Sequence, residues 1–238
     1  MHPPALLLLP NLLGDLPNHS PFLPISVDQA VSTLDGLIAE SVKGGRRFLS
    51  RFTLKKAVHL TPLALLNEHT PDNDLNFLLE PILKGERWGL VSDAGLPCIA
   101  DPGAKLVQRA RSLGISVEAF IGPSSLLLAL MLSGFSGQQF TFHGYLNRNP
   151  PLRQKQIKHL EEETQRIGAT QIFIETPYRN LSLLEGLLST LSPRTRLCIA
   201  WDLTLPSQTV LSQTIALWHK QPPPDIDKKA AIFLIGSF

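Results

Sequence analysis

Cysteine is scarce in this chain: 238 residues hold two, Cys98 and Cys198, far apart in sequence. That count excludes a disulfide scaffold and makes a reducing compartment, the cytoplasm, the expected location. Neither cysteine has a partner at metal-ligand spacing, and His69 has no second histidine at such spacing, so no metal is expected. Long apolar runs are missing too. None reaches the roughly 18 residues of a membrane helix, and Pro10 stops the run Ala5 to Leu9 early. That run has neither a basic leader nor a small-residue cleavage site, so a buried first strand is expected there. Strong charge is lacking as well: the net charge of +2 and pI near 8.6 do not by themselves imply nucleic-acid binding, which only a local cluster could supply. The dinucleotide pattern G-x-G-x-x-G and repeats of solenoid length are both absent.

What is present fills a core. Hydrophobic residues make up 43% and charged residues 18%, a globular balance that suits one large domain or two small ones. Apolar patterning predicts strands at Leu6 to Leu9, Trp88 to Val91, Ile115 to Ile121, Gln171 to Ile174, Leu197 to Trp201 and Ala230 to Ile235. Between them fall helices. Val27 to Glu40 carries Ala30, Leu34, Leu37 and Ile38 on one helical face, and Leu75 to Lys84 has a similar stripe. A helix capped by Asp101, with Pro102 in its first turn, ends at Gly114. Further helices are expected over Leu126 to Leu132, 152–166 and Leu181 to Leu191; Val210 to Trp218 fits a helix or a strand. Strands alternating with helices predict an α/β protein with a mostly parallel sheet. The domain boundary is expected between Gly122 and Arg148, with 147–151 (NRNPP) as linker or lid.

Ligands of open α/β sheets bind beyond the carboxyl ends of the strands. Five unusual loops fall there: PNLLGD (10–15), SDAGLP (92–97), GPSS (122–125), ETPYR (175–179) and WDLT (201–204). Together they suggest a cleft for a small organic cofactor. Gly95 has no Cβ, so its backbone can approach a ligand or adopt positive φ. Asp93 could accept from a ribose hydroxyl or an amine, or could simply cap the turn. Ser124 and Ser125 open a helix; one would cap it, and the other could bind a carboxylate. Glu175 and Arg179 could pair across their turn. The run 43–56 carries Lys43, Arg46, Arg47, Arg51, Lys55 and Lys56 and no carboxylate. Its plain reading is a solvated helix face; the alternative is contact with phosphates.

The loops and their order resemble one family. Residues 91–107, VSDAGLPCIADPGAKLV, are similar to an SDAGTP-x-I-SDPG block, and IGPSSLLLALMLSG (121–134) to a PGPSA helix. IFIETPYRNL resembles an ESPHR block, LCIAWDLT an ARELT segment, and NEHT falls at a His-Glu-His-like run. On these blocks, spread over nearly the whole chain, the sequence is identified as a member of the tetrapyrrole methylase superfamily, nearest its ribosomal RNA small subunit methyltransferase I branch. Some positions depart from that branch. PNLLGD stands for a TPIGNL-like turn, AESVKGGRR for AEDTR with Glu40 kept and Ser41 in place of the aspartate, and Trp201-Asp202 for Arg-Glu.

The resemblance implies two α/β domains, 1–122 and 123–238, with a mostly parallel first sheet, a mixed second sheet and an interdomain cleft. It implies S-adenosylmethionine as cofactor and, usually, a homodimer. By position the cofactor contacts would be Asp93, Ala94, Gly95, Ser124, Ser125, Glu175, Thr176, Ala200, Ala231 and Ile232. The reaction implied is methylation of a ribose 2′-hydroxyl in ribosomal RNA, free or in the small subunit, with no membrane involved. A sulfonium is already activated, so the protein must align the acceptor, exclude water and help remove a proton. Glu40, Glu68, Glu175 and Arg179 are the candidates for that help, and Arg46, Arg47 and Arg51 for RNA contact. Two other readings stay open: a porphyrinoid C-methyltransferase, which would carry a GGDP-like loop where this chain has SDAG, and a non-catalytic RNA- or ribosome-binding relative.

Overall fold

A computed structural model describes residues 2–236, and the chain divides into two compact units, Met1–Ser124 and Ser125–Phe238. The first contains β1 (Ala5–Leu8), α1 (Ile25–Ser32), β2 (Gly36–Ala39), α2 (Val42–Leu49), β3 (Leu63–Leu65), α3 (Leu75–Leu83), β4 (Arg87–Val91), α4 (Gly103–Ser112) and β5 (Val117–Ala119). Its five strands form an all-parallel sheet in the order β3-β2-β4-β1-β5. Parallel strands are covered on both faces and so need near-continuous apolar runs. Here β1, β2 and β4 are buried almost throughout. Alternate residues feed two cores: Leu7, Leu9, Leu37 and Val91 meet Val31 and Phe48, whereas Leu6, Ile38 and Leu90 meet Leu79 and Leu106. That puts α1 and α2 on one face and α3 and α4 on the other.

The expected helix over Val27 to Glu40 is not one element. It is α1 followed by β2, with the break at 33–35. Leu34, Leu37 and Ile38 have helical spacing, but Leu37 and Ile38 point to opposite faces of a strand. Gly36 forces the choice. It pairs with Trp88, and a Cβ on it would lie 2.5 Å from the indole, so only a bare backbone passes there. The short edge strand β3 has no counterpart in the expected elements, α2 falls at the start of the 43–56 run read as a helix face, and β5 is shorter than Ile115 to Ile121. Asp101 does cap: its Oδ1 accepts the Gly103 N–H at 2.7 Å, while Pro102 takes the cap position itself.

The second unit contains α5 (Ser125–Ser133), β6 (Phe140–Tyr145), α6 (Pro150–Ile167), β7 (Thr170–Ile174), α7 (Asn180–Thr190), β8 (Arg196–Trp201), β9 (Thr209–Thr214), α8 (Ile215–Trp218) and β10 (Ala231–Gly236). Its sheet runs β6-β7-β10-β8-β9, parallel only between β6 and β7. Its core joins Phe173 and Phe233, stacked at 6.0 Å, to Ile157, Leu183, Leu187 and Trp218. The ambiguous stretch Val210 to Trp218 is both things, a strand and then a helical turn. NRNPP is not a linker but the start of α6: Asn149 Oδ1 accepts the Leu152 N–H and prolines fill the first two positions. Both cysteines are free thiols, and burial is the main force pushing each up to about 12. Among the described residues no helix is long and apolar enough to cross a membrane, and no cluster of side chains could hold a metal.

Candidate active site

All five strands of the first sheet point the same way, so their carboxyl ends share one edge. That edge collects Asn11, Glu40, Ser41, Glu68 and the 92–95 loop. Asn11, 3% exposed, pins the loop. Its Nδ2 donates to the carbonyls of Ser92 (2.9 Å) and Asp93 (3.1 Å), and its Oδ1 accepts from Leu12 N–H and Arg51 Nη1. Glu40 holds the loop from the other side, where its Oε1 accepts the Asp93 N–H at 3.0 Å. Burial, reinforced by the charges of Asp93 and Asp101, raises the Glu40 carboxyl above its ordinary range.

The Asp93 carboxylate is exposed and accepts from Ser41 Oγ at 3.1 Å; the same Oγ caps α2 by accepting the Gly44 N–H. Gly44 leaves room for this: a Cβ there would lie 2.1 Å from Asp93 Oδ1. Gly95 has φ +69°, and a Cβ on it would come within 3.2 Å of Leu13 and 3.6 Å of the Pro123 carbonyl. The glycine therefore lets the loop after β4 pack closely against the loops after β1 and β5. Ala94 is exposed beside it, and Ser124 ends this unit.

The other first-unit candidates are more scattered. Glu68 is 83% exposed and lies 3.6 Å from His69, which lines a cavity of about 520 Å³ with Leu65, Asn67 and Phe77. Arg46 turns inward, and its Nη1 donates to the carbonyls of Val58 and Thr61. Arg51 is held by Asn11, with burial lowering its pKa. Arg47 is 43% exposed and faces Asp15 at 3.5 Å. The three arginines thus do not form one open patch.

In the second unit β7 and β8 are both antiparallel to β10, so ETPYR, WDLT and the start of β10 share an edge. Glu175 has a side chain only 1% exposed. Its Oε1 accepts the Thr176 N–H at 2.7 Å, and its Oε2 lies 2.9 Å from Arg179 Nη2 without hydrogen-bond alignment. Asp202, Thr204 and Lys228 adopt left-handed backbone at this edge (φ 52°, 73° and 58°), a strain that gathers at functional sites. Lys229 Nζ reaches Asp225 at 2.9 Å and Asp202 at 3.8 Å. Ala200 pairs with Ile232 and Ala231 with Trp201, all buried, and Ser125 opens α5.

The model of the family described as tetrapyrrole (corrin/porphyrin) methylases matches residues 37–217. The chain is a member of the tetrapyrrole methylase family. Within that family it is similar to the ribosomal RNA small subunit methyltransferase I of Xylella fastidiosa (strain Temecula1), at 32% identity over 98% of this chain and 81% of that protein. The Thermotoga maritima protein of the same name is 33% identical over 82% of this chain and 86% of its own length. This methylase also shares its fold with the crystal structures of the methyltransferase CobJ and of diphthine synthase. TM-scores are 0.67 and 0.66, identities 15% and 14%, and coverage is 98% of this chain and 94% and 90% of theirs. The resemblance read from the 89–134 blocks is borne out. What those blocks do not reveal is Asn11, whose partners lie 81 and 82 residues away; a buried polar residue after an apolar strand is the only trace it leaves.

Proposed function

We propose that this chain transfers a methyl group from S-adenosylmethionine to a ribose 2′-hydroxyl of small-subunit ribosomal RNA. The observation that carries the reading is the juxtaposition of a left-handed Gly95, an exposed Asp93 carboxylate and a Glu40 carboxyl raised by burial on one sheet edge. It supports the reading because the chain matches, along nearly its whole length, proteins named for methylating ribosomal RNA.

The residues fit the cofactor. Gly95 lets a ligand lie against backbone, and Asp93 accepts from hydroxyl or ammonium groups. Asp93, Ala94, Gly95 and Ser124 of the first unit, and Ser125, Glu175, Thr176, Ala200, Ala231 and Ile232 of the second, are the proposed contacts. When bound, S-adenosylmethionine supplies an already activated methyl group. This chain's task is then to orient the hydroxyl, exclude water and accept a proton. Glu40 is the proposed base, because a raised carboxyl is a better match to a weakly acidic hydroxyl. Glu175 is neutralised by Arg179 and acts as a positioning residue. Glu68, Arg47 and the exposed Lys43 face the RNA, whereas Arg46 and Arg51 brace the edge itself. A cytoplasmic homodimer acting on free RNA or on the small subunit completes the reading.

Incubation with methyl-labelled S-adenosylmethionine and either deproteinised ribosomal RNA or small subunits, followed by nuclease mapping, tests it. Label on a ribose oxygen is expected. Label on a base, on protein or nowhere overturns the reading.

A further inference from the structure

Away from that edge, one buried guanidinium lacks an acidic partner. Arg153, in the first turns of α6, is 6% exposed, and buried arginines are ordinarily paired. Among the described residues no carboxylate oxygen lies within 4.0 Å of it. Its hydrogen bonds leave from Nη2 alone, to the carbonyl and hydroxyl of Ser182, both at 3.3 Å. Nε and Nη1 make none, yet neither is sealed from solvent. Arg153 lines a cavity of about 270 Å³ between α6 and α7, together with Gln154, Ile157, Gly186, Ser189 and Thr190. No acidic side chain lines it. The Thr190 hydroxyl oxygen is buried without a partner. A guanidinium with two of its nitrogens unused, beside room for several waters and no carboxylate, makes an oxyanion receptor.

Gly186 keeps the approach open. A Cβ there would lie 3.6 Å from Arg153 Nε and 3.7 Å from Nη2, in ordinary contact and over the guanidinium. We propose that this cavity binds a phosphate group, its oxygens held by the unused Nε–H and Nη1–H donors of Arg153. Two sources share that chemistry: a backbone phosphodiester of the RNA, which rests on the function proposed above, and free phosphate.

The full chain is titrated with inorganic phosphate at constant ionic strength, with chloride as the balance, and binding is followed by calorimetry. Saturable binding is expected for the wild type, and its loss in Arg153→Gln. Gly186→Ala should weaken phosphate about tenfold, by obstructing charge-assisted bonds, while raising the melting temperature, because alanine is the better helix residue. That variant keeps the test valid even if Arg153→Gln fails to fold. RNA affinity is then measured for both variants. A fall of about threefold or more in each, with phosphate competing, assigns the site to RNA; unchanged RNA affinity in variants that have lost or weakened phosphate binding assigns it to free phosphate. No saturable phosphate binding, or binding indifferent to both substitutions, overturns the proposal. S-adenosylmethionine titrations of the same variants report separately on the methyltransferase reading.

Discussion

Replacing Asn11 with alanine should loosen the candidate site from beneath. The side chain is 3% exposed and makes four hydrogen bonds: to the Ser92 and Asp93 carbonyls, and from the Leu12 N–H and Arg51. A net hydrogen bond contributes about 1 kcal/mol, and a buried group left without a partner costs about 1–3 kcal/mol. The Asp93 carbonyl and Arg51 can find water, but the Ser92 carbonyl and Leu12 N–H are buried. Those two orphans set the loss at about 3 kcal/mol, or roughly 6–12 °C in melting temperature for a chain of this size. Asn11→Asp keeps both acceptances but sets an oxygen against the Ser92 and Asp93 carbonyls in a buried site, so it should untether the 92–95 loop without recovering stability. Calorimetric melts paired with S-adenosylmethionine titrations would read both consequences. A melting temperature within about 2 °C of wild type, with unchanged cofactor affinity in both variants, would refute the claim that Asn11 shapes this edge.

Gly44→Ala must expel the Asp93 carboxylate, since the new Cβ would lie 2.1 Å from Oδ1 and 2.8 Å from Ser41 Oγ. Helix propensity gains about 1 kcal/mol and the disturbed cap loses a similar amount, so melting should barely move while cofactor affinity drops about tenfold; unaltered affinity would remove Asp93 from the site. Glu40 is held above its ordinary value of 4.5 by burial and two neighbouring carboxylates. The folded chain therefore keeps that proton to higher pH than the unfolded chain, and Glu40 costs stability as pH rises through this window. Its acid limb in kcat/KM should lie above the ordinary glutamate range, and Glu40→Gln should abolish that limb and slow methyl transfer by about 10²–10⁴-fold; a wild-type pH profile in that variant would exclude Glu40 as base. Arg179→Met strands Glu175, whose side chain is 1% exposed, and should cost about 3 kcal/mol by urea denaturation, whereas Arg179→Lys should recover most of it.

Much of the fold was legible because parallel strands announce themselves as short apolar runs. The runs at Trp88 to Val91 and Leu197 to Trp201 appear nearly where expected. Gly36 shows why one region misled. Its neighbours Leu34, Leu37 and Ile38 mimic a helical stripe, and only the three-dimensional proximity of Trp88 reveals a strand. The aromatic β6 and the cap at Asn149 were hidden by composition, since NRNPP is equally a linker and a helix start. At the site, Gly95 and Asp93 stood out through an ordered block of residues. The fates of Arg46 and Arg51 did not, because a charge run does not say which guanidinium turns inward to a carbonyl.

The position of β10 has a consequence for biosynthesis. This strand, the last among the described residues, is hydrogen-bonded on both sides, to β7 and β8. The first unit can close while the ribosome is still translating, but the second lacks the middle of its sheet until residue 236 has emerged. At ordinary elongation rates that delay is on the order of ten seconds. Once made, β7 and then β8 each wait with one edge unpaired until β10 enters between them.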